Sequence, residues 1–275
     1  MNTTRRAFAG ALGAVAVAPA LAAQSTSAAG DIRLGVASYS LRMFQRALAI
    51  RMIAKLGIRY VTIKEFHLPY RSSPKELAAG AAEFRKAGIE ILGGGVVYMT
   101  NDDDAEIRSY FDYARNAGMP MMMIGATRKT LPRIQNFVKE YGIAVAVHNH
   151  GPEDKEFPTP EAALDALNGM DARMGVCVDV GHTTRAGGDP VASIRRAGAR
   201  LFDVHIKDLK DVRDGATQVP VGDGAMPVVE IFRELKRQGY RRAVHLEYEI
   251  DADDPLPGMM KSFAYMRGVL AALRG

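Results

Sequence analysis

The sequence predicts a single-domain α/β fold, a (β/α)8 TIM barrel. Eight short β-rich segments recur along the chain, and the stretches between them have helical periodicity. The β-rich segments are almost continuously apolar, which is typical of parallel strands that helices cover. The alternative is an open doubly wound sheet, which usually has fewer strands and a glycine-rich phosphate loop after its first strand. The first strand–helix junction here, VASYSLRMF, lacks such a loop, so the barrel is favoured.

The elements follow one another in a regular order. The predicted strands lie near residues 32–39, 60–66, 89–98, 119–126, 143–150, 174–182, 199–208 and 241–249. The clearest predicted helices span 74–88, 102–118 and 227–239. Several helices should end in glycine, as a helix C-cap before a strand requires: Gly57, Gly88, Gly118, Gly142 and Gly239. Ser73-Pro74 and Asp189-Pro190 each place a capping residue before a proline in the first helical position.

The N-terminal segment, residues 1–23, resembles a twin-arginine signal peptide. Arg5 and Arg6 precede Phe8 and a weakly apolar, alanine-rich stretch that ends in a plausible cleavage signal. The stretch is shorter than the ~20 strongly apolar residues that a membrane span needs, so we expect cleavage rather than anchoring. The mature protein should then be periplasmic or extracytoplasmic and free of the membrane. Residues 24–30 form a polar linker, and residues 31–275 form the barrel domain.

The composition and charge of the chain disfavour some classes of partner molecule. The formal net charge of +5 is mild, and the chain has no tryptophan. No run of basic residues with interleaved aromatics indicates a nucleic-acid surface. Cys177 is the only cysteine, so an intramolecular disulfide is excluded, and its apolar surroundings indicate a small core residue. A homo-oligomer is compatible with the fold, but no segment defines an interface.

Polar residues stand where the predicted strands end, which is where the active sites of such barrels lie. Asp179, His205 and Glu247 end the sixth, seventh and eighth segments, and His148 and His150 end the fifth. Burying a charged group is costly unless it is paired or bound to a metal. The pattern therefore predicts a divalent-metal site. His148 and His150 share strand parity; we favour His148 as the ligand, which leaves His150 as a substrate contact.

Further polar residues at the strand ends are candidates for substrate contact or proton transfer. Lys207 should face the same cavity and stabilise negative charge on the substrate, although an ion pair with Asp208 or Glu249 is the alternative. Glu249 is a candidate general base, a partner of a histidine ligand, or a carboxylate of the rim. Lys64 and His67, in the stretch IKEFHLP, are further candidates for substrate contact.

The chain resembles the sugar (phosphate) isomerase/epimerase family, the xylose-isomerase-like barrels. The resemblance covers roughly 31–275 and rests on HNHGPEDKEFPTP, CVDVGHTTRAGGDP, DVHIKDL, VPVGDG and HLEYE. It implies one divalent metal ion held by His148, Asp179, His205 and Glu247, and ligation this rich in histidine is compatible with Mn, Co, Zn or Fe. It also implies that His182 binds substrate or moves a proton, the alternative being an ordinary loop histidine. Many family members carry glutamate where this chain has His148, which disfavours a symmetric two-glutamate epimerisation and favours a one-base reaction.

We therefore expect a metal-dependent enzyme that acts on an unphosphorylated sugar or glycoside, since an exported enzyme would rarely meet sugar phosphates. Glu247, Glu249 or His182 would move the proton next to a carbonyl, and Lys207 with the metal would hold the enediolate charge. Isomerisation or epimerisation is the first expectation, and elimination from a 3-keto-glycoside shares its first step. A nuclease is disfavoured by the small net charge. A non-catalytic sugar-binding barrel is disfavoured by the complete ligand set.

Overall fold

The predicted barrel is confirmed. A computed structural model describes residues 32–274, so the predicted signal peptide and linker lie outside the described residues. The strands are β1 (Arg33–Ala37), β2 (Tyr60–Ile63), β3 (Glu90–Met99), β4 (Met121–Ala126), β5 (Ala144–His148), β6 (Met174–Asp179), β7 (Leu201–Ile206), β8 (Asp208–Leu209), β9 (Gln218–Val219) and β10 (Ala243–Leu246). Eight of them close a parallel barrel in the order β1-β10-β7-β6-β5-β4-β3-β2, while β8 and β9 form a separate antiparallel pair.

Helices alternate with the barrel strands. They are α1 (Arg46–Lys55), α2 (Pro74–Lys86), α3 (Asp104–Ala117), α4 (Leu131–Tyr141), α5 (Pro160–Ala166), α6 (Val180–Arg185), α7 (Pro190–Ala197), α8 (Val228–Arg237) and α9 (Leu256–Ala272). The sequence did not predict α6, because its residues were assigned to the end of the sixth strand. That strand ends at Asp179, whose side chain caps α6 by accepting the backbone N–H of His182 at 2.7 Å. None of the described helices is long and apolar enough to cross a membrane.

The predicted caps are present. Ser73 and Glu76 form a reciprocal capping box at the start of α2, with Pro74 in the first turn. Asp189 accepts the backbone N–H groups of the first turn of α7. The predicted C-terminal glycines all have positive φ, for example 71° at Gly118, a conformation that residues with a Cβ adopt at a cost. Local chemistry therefore sets where these helices begin and end.

Two apolar layers support the barrel. The larger core lies between strands and helices, and a smaller cluster fills the barrel interior: Val96, Met121, Met123, Ala146, Cys177 and Phe202. Strand β3 carries Gly93 and Gly94 because β4 packs closely against it. A Cβ at Gly93 would lie 2.9 Å from the Met121 carbonyl oxygen, and one at Gly94 would lie 2.6 Å from Met119 Sδ. These glycines relieve crowding within the sheet.

Candidate metal centre

Four predicted ligands converge at the C-terminal mouth of the barrel. We call His148, Asp179, His205 and Glu247 the four-ligand cluster. Each is buried, and each offers one donor atom within 4.8 Å of the others. His148 and Asp179 end β5 and β6, His205 lies in β7, and Glu247 follows β10. Parallel strands that end at one level bring together residues that are up to 99 positions apart in the sequence (247 − 148).

The donor atoms are spaced as a small divalent cation requires. His148 Nε2 lies 3.1 Å from His205 Nδ1 and 3.7 Å from Asp179 Oδ2, and His205 Nδ1 lies 3.3 Å from Glu247 Oε2. Ligand atoms at about 2.1 Å from one tetrahedral cation would be about 3.4 Å apart. Asp179 Oδ2 is buried, and it faces His148 Nε2 and the Lys207 ammonium, which lies 3.1 Å away. Two imidazoles and two carboxylates suit Zn, Mn, Co or Fe, so these residues fit the metal that the sequence predicts.

Asn149, which the sequence analysis left without a role, holds the ends of two strands together. Its Oδ1 accepts the backbone N–H of Asp179 at 3.0 Å, and its Nδ2 donates to the Asp179 carbonyl at 3.3 Å. The same Nδ2 donates to Thr183 Oγ1 in α6 at 3.1 Å. Its position between two histidines at the end of β5 was the only signal of this role.

Lys207 is the counter-ion of the cluster. Its buried ammonium lies 2.8 Å from Glu249, 3.0 Å from Glu247 and 3.1 Å from Asp179. Burial alone would lower the pKa of Lys207, but these carboxylates raise it well above its usual range. Burial would likewise raise the pKa of Glu247, but Lys207 and the His205 imidazole hold it well below its usual range. Lys207 and Glu247 are therefore both charged at neutral pH in the absence of a cation.

The ion pair between Lys207 and Asp208, left open by the sequence, is not the arrangement observed. Asp208 lies in β8 and accepts backbone N–H groups from the following loop: Gly222 at 2.8 Å, Met226 at 3.0 Å and Gly224 at 3.1 Å. A Cβ at Gly224 would collide with this carboxylate. Asp208 therefore shapes the VPVGDG loop and does not face the four-ligand cluster.

A cavity opens above the cluster. Its walls combine aromatic, imidazole, amine and carboxylate groups: Tyr39, Lys64, Val96, Tyr98, His148, His150, His182, Glu247 and Glu249. Tyr98 stacks on His150 with ring centroids 5.6 Å apart, and its hydroxyl lies 3.2 Å from His150 Nε2. Tyr39 and Tyr98 were not predicted from the sequence as site residues. Their positions at the ends of the first and third strands were the available signal.

The candidate substrate contacts fall into three groups. Lys64 and His150 reach the cavity, although Lys64 also donates to the Val96 carbonyl. His182 lies in the first turn of α6 and lines the same cavity, and burial lowers its pKa. His67 is not among the lining residues. Its buried Nε2 instead lies 3.2 Å from the Leu41 carbonyl and 3.1 Å from the Phe44 carbonyl. These hydrogen-bonding contacts stabilise the loop after β1. The substrate contact predicted for His67 therefore has no geometric support.

A second polar pair lies deeper in the barrel. Asp203 and His245 are fully buried, and His245 Nδ1 lies 2.8 Å from Asp203 Oδ1. Asp203 Oδ2 lies 3.9 Å from His205 Nε2, the ring nitrogen on the side away from Glu247. At 3.9 Å this contact is too long for a hydrogen bond, so Asp203 acts on the His205 ring through its negative charge. Asp203 was not singled out from the sequence, although it shares the strand parity of His205.

The chain belongs to a known family of barrels. Residues 50–269 match the sequence model of the family described as xylose isomerase-like TIM barrel. The rhizopine catabolism protein MocC of Rhizobium meliloti is 31% identical over 134 residues, which cover 43% of this chain and 40% of that protein. Inosose dehydratase of Clostridium beijerinckii is 25% identical over 157 residues, 50% of this chain and 51% of the relative. The matches thus span about half or less of these curated relatives.

Solved structures share the fold over nearly the whole barrel. The IOLI protein, solved with a zinc atom, superposes with a TM-score of 0.74 at 18% identity, over 88% of this chain and 99% of that one. D-psicose 3-epimerase with D-tagatose, from Clostridium cellulolyticum H10, superposes with a TM-score of 0.70 at 15% identity, over 87% and 99% of the two chains. At these identities the likeness establishes the fold alone.

Proposed function

We propose that this protein is a metal-dependent enzyme that abstracts the proton next to a carbonyl group of an unphosphorylated sugar or glycoside. The observation that carries the proposal is the convergence of the four-ligand cluster beneath a cavity that also presents Glu249 and His182. The first outcome we propose is isomerisation or epimerisation. A binding protein for sugars would have no need of two buried carboxylates and two buried imidazoles at one point.

The four-ligand cluster would hold one divalent cation. When bound, such a cation supplies Lewis acidity that makes a C–H bond next to a carbonyl more acidic. The four ligands would hold it from the ends of four neighbouring strands, β5, β6, β7 and β10. The strand-five ligand is an imidazole, so the carboxylate that could act as a second, symmetric base is missing at that position.

Glu249 and His182 are the groups best placed to move the proton. Glu249 lines the cavity, is not part of the four-ligand cluster, and has a partly exposed side chain. His182 is neutral at pH 7 because burial lowers its pKa, and its Nδ1 accepts a hydrogen bond from Arg185 at 3.0 Å, so to take up a substrate proton at that nitrogen the imidazole would have to displace Arg185. Glu247 is the weaker candidate base, because Lys207 and His205 hold its pKa low. The Lys207 ammonium would stabilise the negative charge that develops on the substrate.

The cavity walls suit a hydroxylated ring. Tyr39 and Tyr98 offer aromatic faces, and His150 offers a ring nitrogen at the rim. The nearby lysines already have carboxylate partners, since Lys64 lies 3.3 Å from Glu65 and Lys207 contacts the cluster. Lys64, which lines the cavity, is therefore not a free cation for a phosphate group, and this supports an unphosphorylated substrate.

Elimination is the second candidate outcome. It begins with the same proton abstraction and then expels a group from the neighbouring carbon. The curated relatives named inosose dehydratase favour it, at 25% identity over 157 residues in one case and 31% over 107 residues in another. Substrates with a 3-keto group would then lose water, or lose the aglycone as an alcohol that carries the glycosidic oxygen, instead of being isomerised.

The first experiment measures metal per chain. Asp179→Asn keeps an oxygen to cap α6 but removes one charged ligand, so we expect about one divalent ion in the wild type and a large loss in the variant. Asp165→Asn is the matched control, because Asp165 is an exposed partner of Arg196. Deuterium uptake from solvent into ketoses and 3-keto-glycosides then tests the reaction. Absence of metal, even after addition of Mn, Co or Zn, would leave a sugar-binding barrel as the better interpretation.

We also propose that residues 1–23 direct export of the folded protein by the twin-arginine route. Arg5 and Arg6 carry this proposal. Folding before export would permit metal loading in the cytoplasm. Cell fractionation and N-terminal sequencing of the mature protein test it, with paired Arg→Lys substitutions expected to retain the protein in the cytoplasm. Export of the variant at the wild-type level would contradict the assignment.

A further inference from the structure

Cys177 lies directly behind the four-ligand cluster. It faces the barrel interior in β6, two residues before Asp179, and pairs in register with His148 of β5. His148, Cys177 and His205 each offer one donor atom, and these atoms lie within 4.8 Å of one another. All three residues are buried. The two histidines therefore belong to two overlapping sets of possible metal ligands.

Each of the two histidines has one buried ring nitrogen without a hydrogen-bond partner among the described residues. His148 Nε2 and His205 Nδ1 are the nitrogens that meet at 3.1 Å in the four-ligand cluster. The opposite nitrogens, His148 Nδ1 and His205 Nε2, are buried and have no hydrogen-bond partner among residues 32–274. Leaving buried polar atoms without a partner is costly. A cation on the interior side of the rings would satisfy them.

We propose that His148, Cys177 and His205 form a second cation site, here called the thiolate site, that takes a soft divalent cation such as Cd²⁺. Thiolate and imidazole donors favour soft cations, whereas the carboxylates of the four-ligand cluster favour harder ones such as Mn²⁺. Binding displaces the thiol proton of Cys177 to solvent, and no electron is transferred.

The thiolate site and the four-ligand cluster exclude each other. They share His148 and His205, and two dications held by the same rings would repel one another strongly in a buried environment. One cation per chain is therefore expected at saturation. A soft cation in the thiolate site draws both imidazoles away from Asp179 and Glu247, so it releases Mn²⁺ from the four-ligand cluster.

The test uses metal-free full-length protein and Cd²⁺ as the probe. We expect about one Cd²⁺ per chain and an ultraviolet thiolate-to-metal charge-transfer band. The band should be absent from Cys177→Ser, with Cys177→Ala as a second variant if the serine variant does not fold. Glu247→Gln is the matched control and should keep the band, because Glu247 lies outside the thiolate site. Cd²⁺ binding without the band in the wild type, or an unchanged band in Cys177→Ser, would overturn the proposal.

A second measurement separates this site from the proposed reaction. Mn²⁺ binding, followed by electron paramagnetic resonance, should be equal in wild type and Cys177→Ser, and Cd²⁺ should displace Mn²⁺ from the wild type at about one equivalent. Retention of Mn²⁺ while the Cd²⁺ band develops would overturn the mutual exclusion. Failure of the wild type to bind Mn²⁺ would count against the four-ligand cluster and the proposed function, while the Cd²⁺ band would still decide the thiolate site.

Discussion

Replacing Lys207 with methionine tests the electrostatics of the whole site. The Lys207 ammonium lies within 3.1 Å of three carboxylates and its side chain is 4% exposed. Methionine approximately keeps the length of the lysine side chain, but it leaves the buried carboxylates of Asp179 and Glu247 without their cationic partner. Breaking a buried ion pair by removing one partner costs about 3–5 kcal/mol. For a domain of this size each kcal/mol corresponds to roughly 2–4 °C in Tm, so the metal-free variant should melt about 6–20 °C lower.

Bound metal should restore the stability that Lys207→Met loses, because the dication replaces the missing positive charge. In the variant the dication also no longer competes with the Lys207 ammonium for the carboxylates. We expect Lys207→Met to bind divalent metal about tenfold more tightly or better, which corresponds to about 1.4 kcal/mol. Calorimetry with and without metal measures both quantities. Lys261→Met, which removes an exposed partner of Asp223, is the control and should cost no more than about 1 kcal/mol. A metal-free variant as stable as the wild type, or one with weaker metal binding, would refute the reasoning.

Three further predictions follow from other contacts. Asp203→Asn should weaken metal affinity about 10–100-fold in chelator competition, because the Asp203 carboxylate faces His205 Nε2 from the barrel interior; an unchanged affinity would contradict this. Burial lowers the pKa of His182, so its neutral, proton-accepting form exists above a pKa lower than 6.5. The rate of deuterium exchange between solvent and substrate should therefore fall as the pH drops through the pKa of His182. The His182→Asn variant should lose this inflection. A pH profile identical to that of the wild type would exclude His182 as the base. Ser73→Ala should cost about 1 kcal/mol in urea unfolding through loss of the α2 cap, and an unchanged midpoint would argue against the capping box.

The fold was largely predictable because its signals are local. Apolar runs, glycines such as Gly118 and capping residues such as Ser73 mark the elements where they occur, and short-range chemistry sets their ends. The strand ends were less accurate. The sixth strand was predicted to 182 and ends at Asp179, because one carboxylate both closes β6 and caps α6. An apolar run does not reveal where a side chain will accept a backbone N–H.

The sequence by itself determined that the four ligands of the cluster reach the barrel mouth, since residues at the ends of neighbouring parallel strands are carried there together. Only the tertiary structure decided what those side chains meet. It joined Lys207 to Asp179, Glu247 and Glu249, and turned His67 toward backbone carbonyls. Such contacts cross between strands that are dozens of residues apart, and they depend on the stagger with which the barrel closes, which no local pattern of residues records.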